Sequence, residues 1–291
     1  GSYFMWLGSD GKLYAPGASV PAEVTKLTAQ FALSEQFSLK PGGTYYFDLS
    51  GASIPGTVNT GNTFGATSLP DTTLHYVPFT YAGTVDTYAQ KDGSSAGVNG
   101  SRSLLVANYN VTRDVSWDEL NEKGFIFGKP FESGGLTYTL RAPTVGSGVL
   151  EGGTVIPENN EWDAIRNKGY IKGNDSYCWG QDTFSEDASK RSSRRFDNGE
   201  LRSEGNDTCI RPVLEIPAEL TEKDFKVVTL DLNGGYVWST AGRTSGKIKI
   251  LVKAGQDFSA PVNSEMYFAT NLKKNNFHWR DENGNIYRVG D

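Results

Sequence analysis

The chain has 291 residues, a net charge of −6, 37% hydrophobic residues, and 15 Phe, 14 Tyr and 6 Trp, which bury enough area to build a core. Its acidic balance argues against nucleic acid as a partner. The basic cluster over 190–195 is the one local exception, and it is short and flanked by acidic residues. No stretch approaches the roughly 18 apolar residues of a membrane-spanning helix, so we expect no membrane insertion.

The two ends of the chain carry the same short aromatic pattern, at an offset of 273 (279 − 6). The shared positions are Phe4, Trp6, Gly11, Tyr14 and Gly17, which recur as Phe277, Trp279, Gly284, Tyr287 and Gly290. Alternating aromatic residues followed by Asp-Gly or Asn-Gly predict a β-hairpin in each copy. Repeats are typical of arrays, so we expect residues 1–30 to be the tail of a small β-module and the chain to belong to a longer protein.

Three strands are predicted early in a central domain that we assign to residues 31–217. The first follows the Pro41-Gly42-Gly43 turn and covers 44–47. The second covers 74–81, where Pro78 favours an edge or a bulge. The third, 103–109, is short and predicted to be buried.

Two short helices are predicted next. Ser116 has the features of an N-cap, with Glu119 three residues on as in a capping box, and Gly124 ends that helix. Asn160 opens a second helix. A strand over 177–183, a long polar loop and an apolar core strand over 209–216 then complete the domain.

This order of elements resembles the C-type lectin-like fold, as used by the formylglycine-generating-enzyme family and by diversity-generating-retroelement variable proteins. The resemblance rests on the phrases Val111–Trp117, Trp179–Thr183 and Cys209–Val213, where Cys209-Ile210-Arg211 takes the place of the arginine-bearing closing strand. It implies an α+β fold class, with a C-type lectin-like mixed domain of few short helices. In that fold the last third, here 183–208, forms the exposed binding surface.

From this resemblance we expect an unknown protein or glycan ligand to bind the 176–208 loop surface. Aromatic, arginine and adaptable polar side chains are the types that binding surfaces prefer. The candidates are Tyr177, Trp179, Asp182, Phe184, Arg191, Arg194, Arg195, Phe196, Asn198 and Arg202. An ordinary hydrophilic loop is the alternative interpretation.

The only two cysteines, Cys178 and Cys209, lie 31 positions apart (209 − 178). A single disulfide, consistent with an oxidising compartment, and two buried thiols both stay open. The sequence has no Cys-x-x-Cys zinc motif, and we expect neither a metal nor a cofactor.

The sequence pattern of residues 218–291 predicts a second small module. A strand from Lys226 ends at an Asn233-Gly234-Gly235 turn, and Lys247–Lys253 alternates polar and apolar residues. With Phe258–Pro261, these phrases resemble the β-grasp-like Listeria–Bacteroides repeats of Gram-positive surface proteins, of the internalin B type. The resemblance implies an extracellular, secreted or cell-surface location in a gut-type bacterium, as a monomer or a tandem array.

Catalytic signatures are scarce. His75 and His278 are the only histidines; His278 stands where the other hairpin copy has Met5, and His75 is expected to be a satisfied core or edge residue. Carboxylate pairs such as Glu161 and Asp163 leave a glycosidase unsupported by the sequence. We therefore expect an extracellular ligand-binding or adhesion module and no enzyme. A cell-wall or glycan-active enzyme and a purely structural stalk are the alternatives.

Overall fold

The chain is mostly β-sheet with two short α-helices, in the residues that a computed structural model describes. This agrees with the coarse expectation of a strand-rich fold with few short helices. No helix in this described part is long and apolar enough to cross a membrane. The described residues are 4–10, 12–31, 39–58, 74–88, 98–146, 148–149, 155–156, 160–171, 176–183, 187, 189–239, 242–261 and 278–288.

Helix α1 is Trp117–Glu122 and helix α2 is Glu161–Asn167. The strands are, in chain order, β1 (Phe4–Gly8), β2 (Leu13–Tyr14), β3 (Leu27–Phe31), β4 (Thr44–Phe47), β5 (Thr57–Val58), β6 (Val77–Tyr88), β7 (Val98–Ala107), β8 (Thr112–Ser116), β9 (Lys129–Ser133), β10 (Leu136–Arg141), β11 (Gly148–Val149), β12 (Val155–Ile156), β13 (Cys178–Thr183), β14 (Lys190–Arg195), β15 (Asn198–Ser203), β16 (Asp207–Ile210), β17 (Val213–Ile216), β18 (Phe225–Ser239), β19 (Gly242–Lys253), β20 (Trp279–Arg280) and β21 (Ile286–Tyr287).

A six-stranded antiparallel sheet has the order β4-β6-β7-β17-β10-β9. Its inner face carries Phe47, Phe79 and Tyr138, whose rings meet edge to face at centroid distances of 5.3 and 5.4 Å around Phe47. The expectation that Pro78 marks an edge or a bulge was wrong, because β6 lies between β4 and β7, and its register shifts fall after Tyr81. Pro78 is tolerated as the second residue of its strand, where few ladder bonds precede it.

An eight-stranded sheet has the order β11-β12-β15-β14-β13-β16-β8-β5, and β13 and β16 are parallel. Two tryptophan indoles connect β13 to β8 and to α1. The Trp179 indole donates to the carbonyl of Val115 at 2.9 Å, and the Trp117 indole donates to the carbonyl of Gly180 at 3.0 Å. These buried indole N–H groups are therefore satisfied, as buried polar groups must be.

The predicted core strand over 209–216 is two strands in two different sheets. Strand β16 pairs with β13 at Cys178 in the eight-stranded sheet, whereas β17 pairs with β7 in the six-stranded sheet. The break falls at Arg211-Pro212, because proline has no N–H to continue a ladder. The buried Arg211 donates instead to the carbonyls of Ala107 at 2.8 Å and Asn108 at 2.8 Å, which ties the crossing point to the end of β7.

The predicted long polar loop also differs from the structure, because residues 190–203 form a hairpin of β14 and β15. Arg195 pairs with Asn198, so the turn contains only Phe196 and Asp197. A two-residue turn needs positive φ, and Phe196 has a φ of 47°. No glycine or asparagine stands at that position to signal the turn, which is why the sequence pattern did not reveal it.

Both predicted helices are confirmed, and each begins at a side-chain N-cap. The Ser116 hydroxyl accepts a hydrogen bond from the Glu119 backbone N–H at 3.1 Å, and Gly124 follows α1 with a φ of 84°. Asn160 accepts from the Asp163 N–H at 2.8 Å and begins α2. Side-chain acceptors satisfy backbone donors that a helix leaves free at its start.

The two aromatic hairpins at the ends are confirmed as β1–β2 and β20–β21. Strands β18 and β19 form a separate long ribbon. The turn expected at Asn233-Gly234 is wrong: β18 continues to Ser239, and the two residues, with φ values of 45° and 85°, lie at a register shift inside the strand. Positive φ allows such a bulge as readily as a turn.

Candidate functional site

Helix α2 lies between the two sheets and is bound to the six-stranded one by a buried ion pair. Glu161 accepts two hydrogen bonds from Arg141, each 2.8 Å long, and a third from the Thr144 N–H at 3.0 Å. Arg141 also contacts Glu215 on β17 at 2.9 Å. A buried bidentate pair with its remaining positions hydrogen-bonded fixes the first turn of α2.

A second bidentate pair binds α2 to the eight-stranded sheet. Arg194 on β14 is fully buried and donates to the two carboxylate oxygens of Asp163 at 2.9 and 3.0 Å. Burial raises the pKa of Asp163, but the hydrogen bonds and charge of Arg194 outweigh that effect and hold the pKa below its ordinary value. Arg194 also donates to the carbonyl of Val145 at 3.1 Å.

The same side chains hold the turn of the β14–β15 hairpin. Arg194 donates to the carbonyl of Phe196 at 3.2 Å, and the buried indole of Trp162 donates to that oxygen at 2.6 Å. We call α2 with Trp162, Asp163, Arg194 and segment 143–146 the frame. We call the turn Arg195–Asn198 the tip. The frame fixes the main chain of the tip from inside the protein.

The tip presents four exposed side chains on this fixed main chain. Phe196 is 37% exposed, and the Arg166 guanidinium of α2 lies 5.6 Å from its ring centroid. A phenylalanine at positive φ costs about 1–2 kcal/mol relative to a residue in the right-handed or β region. Strain of this kind persists only where surrounding contacts impose it, and it is concentrated at functional sites.

The structure divides the ten predicted ligand contacts by burial. Arg195, Phe196 and Asn198 are exposed at the tip, and Phe184 lies outside the described residues. Tyr177, Arg191 and Arg202 are half-buried, and Trp179, Asp182 and Arg194 are buried. The buried three contact the protein interior, so the surface that a ligand can touch is narrower than the predicted one.

Asp182 belongs to the interior beneath the tip. Its carboxylate accepts hydrogen bonds from the N–H groups of Val145 at 2.5 Å and Gly146 at 3.1 Å. Its other oxygen has no partner within the described structure. Burial raises the pKa of Asp182 to about 7. The negative charge of Glu161 raises this pKa further, whereas the hydrogen bonds from the two backbone N–H groups lower it.

The half-buried arginines of the hairpin have their charges neutralised locally. Arg191 contacts Glu204 at 2.9 Å and lies 4.2 Å from the Trp117 ring centroid. Arg202 contacts Glu200 at 2.8 Å. Arg195 forms no salt bridge in the described part of the chain, so it is the hairpin arginine whose charge faces solvent.

Cys178 and Cys209 are buried thiols, not joined by a disulfide, and lie directly opposite each other on the parallel strands β13 and β16. Neighbouring strands are about 4.8 Å apart, within the Cα range of a disulfide. Burial raises the pKa of the Cys209 thiol. The thiol alternative is the one seen in this structure, and a disulfide between them stays a prediction.

An open cavity of about 570 Å³ lies away from the tip, between residues 48–53 and the β9–β10 hairpin. Two of its lining residues, Asp48 and Glu132, carry carboxylates. The Asp48 carboxylate lies 2.9 Å from Nδ1 of His75 and accepts a hydrogen bond from the Ser50 hydroxyl at 2.6 Å. Burial raises the pKa of Asp48, but these hydrogen bonds bring it below its ordinary value.

Two surface residues were missed from the sequence, Arg166 and Phe127. Arg166 lies within α2, and no neighbouring residue in the sequence indicates its contact with the tip. Phe127 is 55% exposed after α1 and meets Trp117 edge to face at 5.9 Å. The aromatic residue directly before Gly128 was the local signal that could have found it.

Among the described residues, no three His, Cys, Asp or Glu side chains are grouped so as to hold a metal ion. No protein-family model, curated protein or solved structure matches this chain. Function is therefore argued from the site itself.

Proposed function

We propose that this chain is an extracellular ligand-binding or adhesion module of a bacterial surface protein, and that it binds a protein or glycan through the tip. In this proposal the central region is C-type lectin-like and the 218–291 region is a β-grasp-like repeat. The observation that carries the proposal is Phe196, an exposed aromatic side chain at positive φ on a main chain fixed by Trp162 and Arg194.

The geometry of the tip suits recognition because little order has to be gained on binding. Ordering side chains and loops at an interface costs about 0.5–1.5 kcal/mol for each immobilised side chain, and a preorganised surface avoids much of that cost. The frame holds the tip by hydrogen bonds to its carbonyls, and Arg166 stacks on the Phe196 ring. The exposed aromatic residue is therefore rigid before a ligand arrives.

The chemistry of the tip fits a polar ligand with an apolar face. The Phe196 ring offers a stacking surface, and the exposed Arg195 and Asn198 offer hydrogen-bond donors beside it. Arginine and aromatic residues dominate the binding energy of interfaces. A sugar ring has a face that stacks on Phe196 and hydroxyl groups that accept hydrogen bonds. A peptide surface with aromatic and acidic side chains offers the same two kinds of contact.

The lectin-like part of the proposal is supported by two packing features. Strands β13 and β16 are neighbours in one sheet, with Cys178 opposite Cys209. The buried Arg211 closes the crossing between the sheets through carbonyls of residues 107 and 108. The family resemblance expects an arginine at this place.

The proposal is tested by probing glycan and protein arrays with the intact chain and then comparing two variants. Phe196→Ala should weaken any detected interaction at least about tenfold, the loss typical of a central interface residue. Phe127→Ala is the matched control, because it removes an exposed phenylalanine outside the tip. Equal losses in both variants, or in neither, would count against the tip.

A glycan-active enzyme is the second candidate, and the cavity with Asp48 and Glu132 is the observation that favours it. Glycosidases act through two carboxyl groups on either side of the scissile bond. Hydrolysis of cell-wall or glycan substrates by the intact chain, abolished by Asp48→Asn or Glu132→Gln and retained by Phe196→Ala, would replace the binding proposal with this one.

A further inference from the structure

Arg166 on α2 lies beside the tip and has hydrogen-bond donors that the described residues do not use. Its Nε donates to Asp163 at 3.1 Å, and its guanidinium lies 5.6 Å from the ring centroid of Phe196, where cation–π attraction holds it. Its two terminal amino groups donate to no described residue, and 28% of the side chain is exposed. Arg166 is therefore held on two sides and keeps donors for a further group.

The ion pairs of Asp163 leave one positive charge without a counter-charge. This single carboxylate is shared by two guanidinium groups, those of Arg194 and Arg166, and Arg194 binds both of its oxygens. Asp197 is an exposed carboxylate of the tip, but it forms no ion pair with Arg166 in the described part of the chain. An anion that reaches Arg166 is therefore attracted by a charge that the protein has not neutralised.

The unused end of this guanidinium matches a carboxylate. Its two terminal amino groups form a planar fork, and their parallel N–H groups fit the two oxygens of a carboxylate. Beside the fork, the exposed Phe196 ring offers a flat apolar surface. A ligand that uses both groups must carry a carboxylate at the edge of a flat apolar face.

The size of the site favours a sugar over a protein. A stable protein interface uses about 20–30 residues on each side. The tip presents four exposed residues, and Arg166 adds one partly exposed side chain. One acidic sugar has the required shape, because its carboxylate projects from the edge of a ring whose C–H face can stack on an aromatic side chain.

We propose that the tip binds an acidic sugar, with the carboxylate on the terminal amino groups of Arg166 and the sugar ring on Phe196. This inference rests on the proposed function and narrows its ligand from a protein or glycan to a carboxylate-bearing glycan. Arg166 selects the acidic sugar, whereas Phe196 supplies a stacking contact that neutral and acidic rings share. Loss of Arg166 should therefore remove the discrimination and leave the weaker stacking interaction.

The test uses the full chain and pairs of glycans that differ only in charge. The probes are oligosaccharides of glucuronic, galacturonic and mannuronic acid and a sialylated lactose, each beside its carboxyl-reduced neutral form. Isothermal titration calorimetry measures the affinities. We expect at least one acidic probe to bind at least about tenfold more tightly than its neutral form, because hydrogen bonds to a charged group contribute that much.

Two variants of Arg166 and one control isolate its part in this preference. Arg166→Gln should reduce the preference to within about twofold, because an amide has neither the charge nor the fork. Arg166→Lys keeps the charge without the fork and should keep part of the preference. Arg113→Gln is the matched control, because Arg113 is an exposed arginine outside the tip whose charge is paired with Asp114. It should leave the preference unchanged.

The outcomes separate this inference from the proposed function. A preference that Arg166→Gln removes and Arg113→Gln retains supports the inference. Binding that Phe196→Ala abolishes, but that keeps its acidic preference in Arg166→Gln or never shows one, overturns the role of Arg166 and leaves the tip as the binding surface. Acidic-sugar binding that both Phe196→Ala and Arg166→Gln leave intact contradicts the tip itself. Absence of binding to every acidic probe overturns the inference, including where the arrays identify an acidic peptide.

Discussion

The frame and the tip are adjacent on β14, yet their arginines are used in opposite ways. Arg194 is fully buried and binds Asp163, whereas Arg195 is exposed and forms no salt bridge within the described residues. The difference shows that one strand can supply both a buried side chain that supports the fold and an exposed side chain that a ligand can contact. Substitutions in the frame should therefore act on stability, and substitutions at the tip should act on binding.

The largest expected effect is that of Arg194→Ala. Removing one partner of this buried ion pair leaves Asp163 with only Arg166 as a counter-charge and takes one donor each from the carbonyls of Val145 and Phe196. We expect the free energy of unfolding to fall by about 3–5 kcal/mol, measured by urea denaturation. A loss below about 1 kcal/mol would show that the frame does not support the fold.

The next effect is a pH dependence from Asp182. Its pKa is about 7 in the folded chain against an ordinary 3.8, so folding takes up a proton between these values. The stability that this group contributes is complete below about pH 4 and is lost as the pH rises through 7, which corresponds to about 2–3 kcal/mol between pH 5 and pH 8.

Asp182→Asn is the variant that isolates this group. Other titrating groups act equally in both proteins, so the stability difference between variant and original chain should move in favour of the variant by about 2–3 kcal/mol from pH 5 to pH 8. Urea denaturation at the two pH values measures it. A difference that does not change with pH would mean that Asp182 is ionised throughout.

A smaller change in the free energy of unfolding, opposite in sign to that of Arg194→Ala, is expected for Phe196→Asn. Asparagine tolerates positive φ, so the strain of about 1–2 kcal/mol is relieved, while the stacking with Arg166, worth about 0.5–1 kcal/mol, is lost. We expect a net gain in stability of about 0.5 kcal/mol together with loss of ligand binding. Phe127→Asn, at a residue without positive φ, should give no such gain. Stabilisation with binding intact would remove the functional reason for the strained phenylalanine.

The smallest effect on stability is expected for Arg195→Ala. An exposed side chain without an ion pair changes the free energy of unfolding by less than about 0.5 kcal/mol. Ligand binding should nevertheless weaken, because the charge lies beside Phe196. Comparison with Arg194→Ala in the same denaturation and binding assays separates the two regions.

Elements with local signals could be predicted from the sequence. The caps at Ser116 and Asn160 and the aromatic hairpins were found because a few neighbouring residues determine them. The β14–β15 hairpin was missed because its turn depends on a phenylalanine at positive φ, which is imposed by Trp162 and Arg194 from distant parts of the chain.

The burial of the individual candidate residues could not be predicted from the sequence. The 176–208 segment does contain the exposed tip, but sequence pattern alone did not distinguish Arg194 from Arg195. The distinction depends on which face of β14 meets α2, and Asp163 is 31 residues away from Arg194 (194 − 163). Charged residues with no local partner acquire their roles only through such long-range pairing.

The most direct test of the central claim is a hydrogen–deuterium exchange footprint of the intact chain with the ligand that the arrays identify. Binding at the tip predicts slower exchange in Arg195–Asn198, with little change around the cavity. Slower exchange confined to residues 48–53 and 129–140, with the tip unchanged, would contradict the account and place the ligand in the cavity.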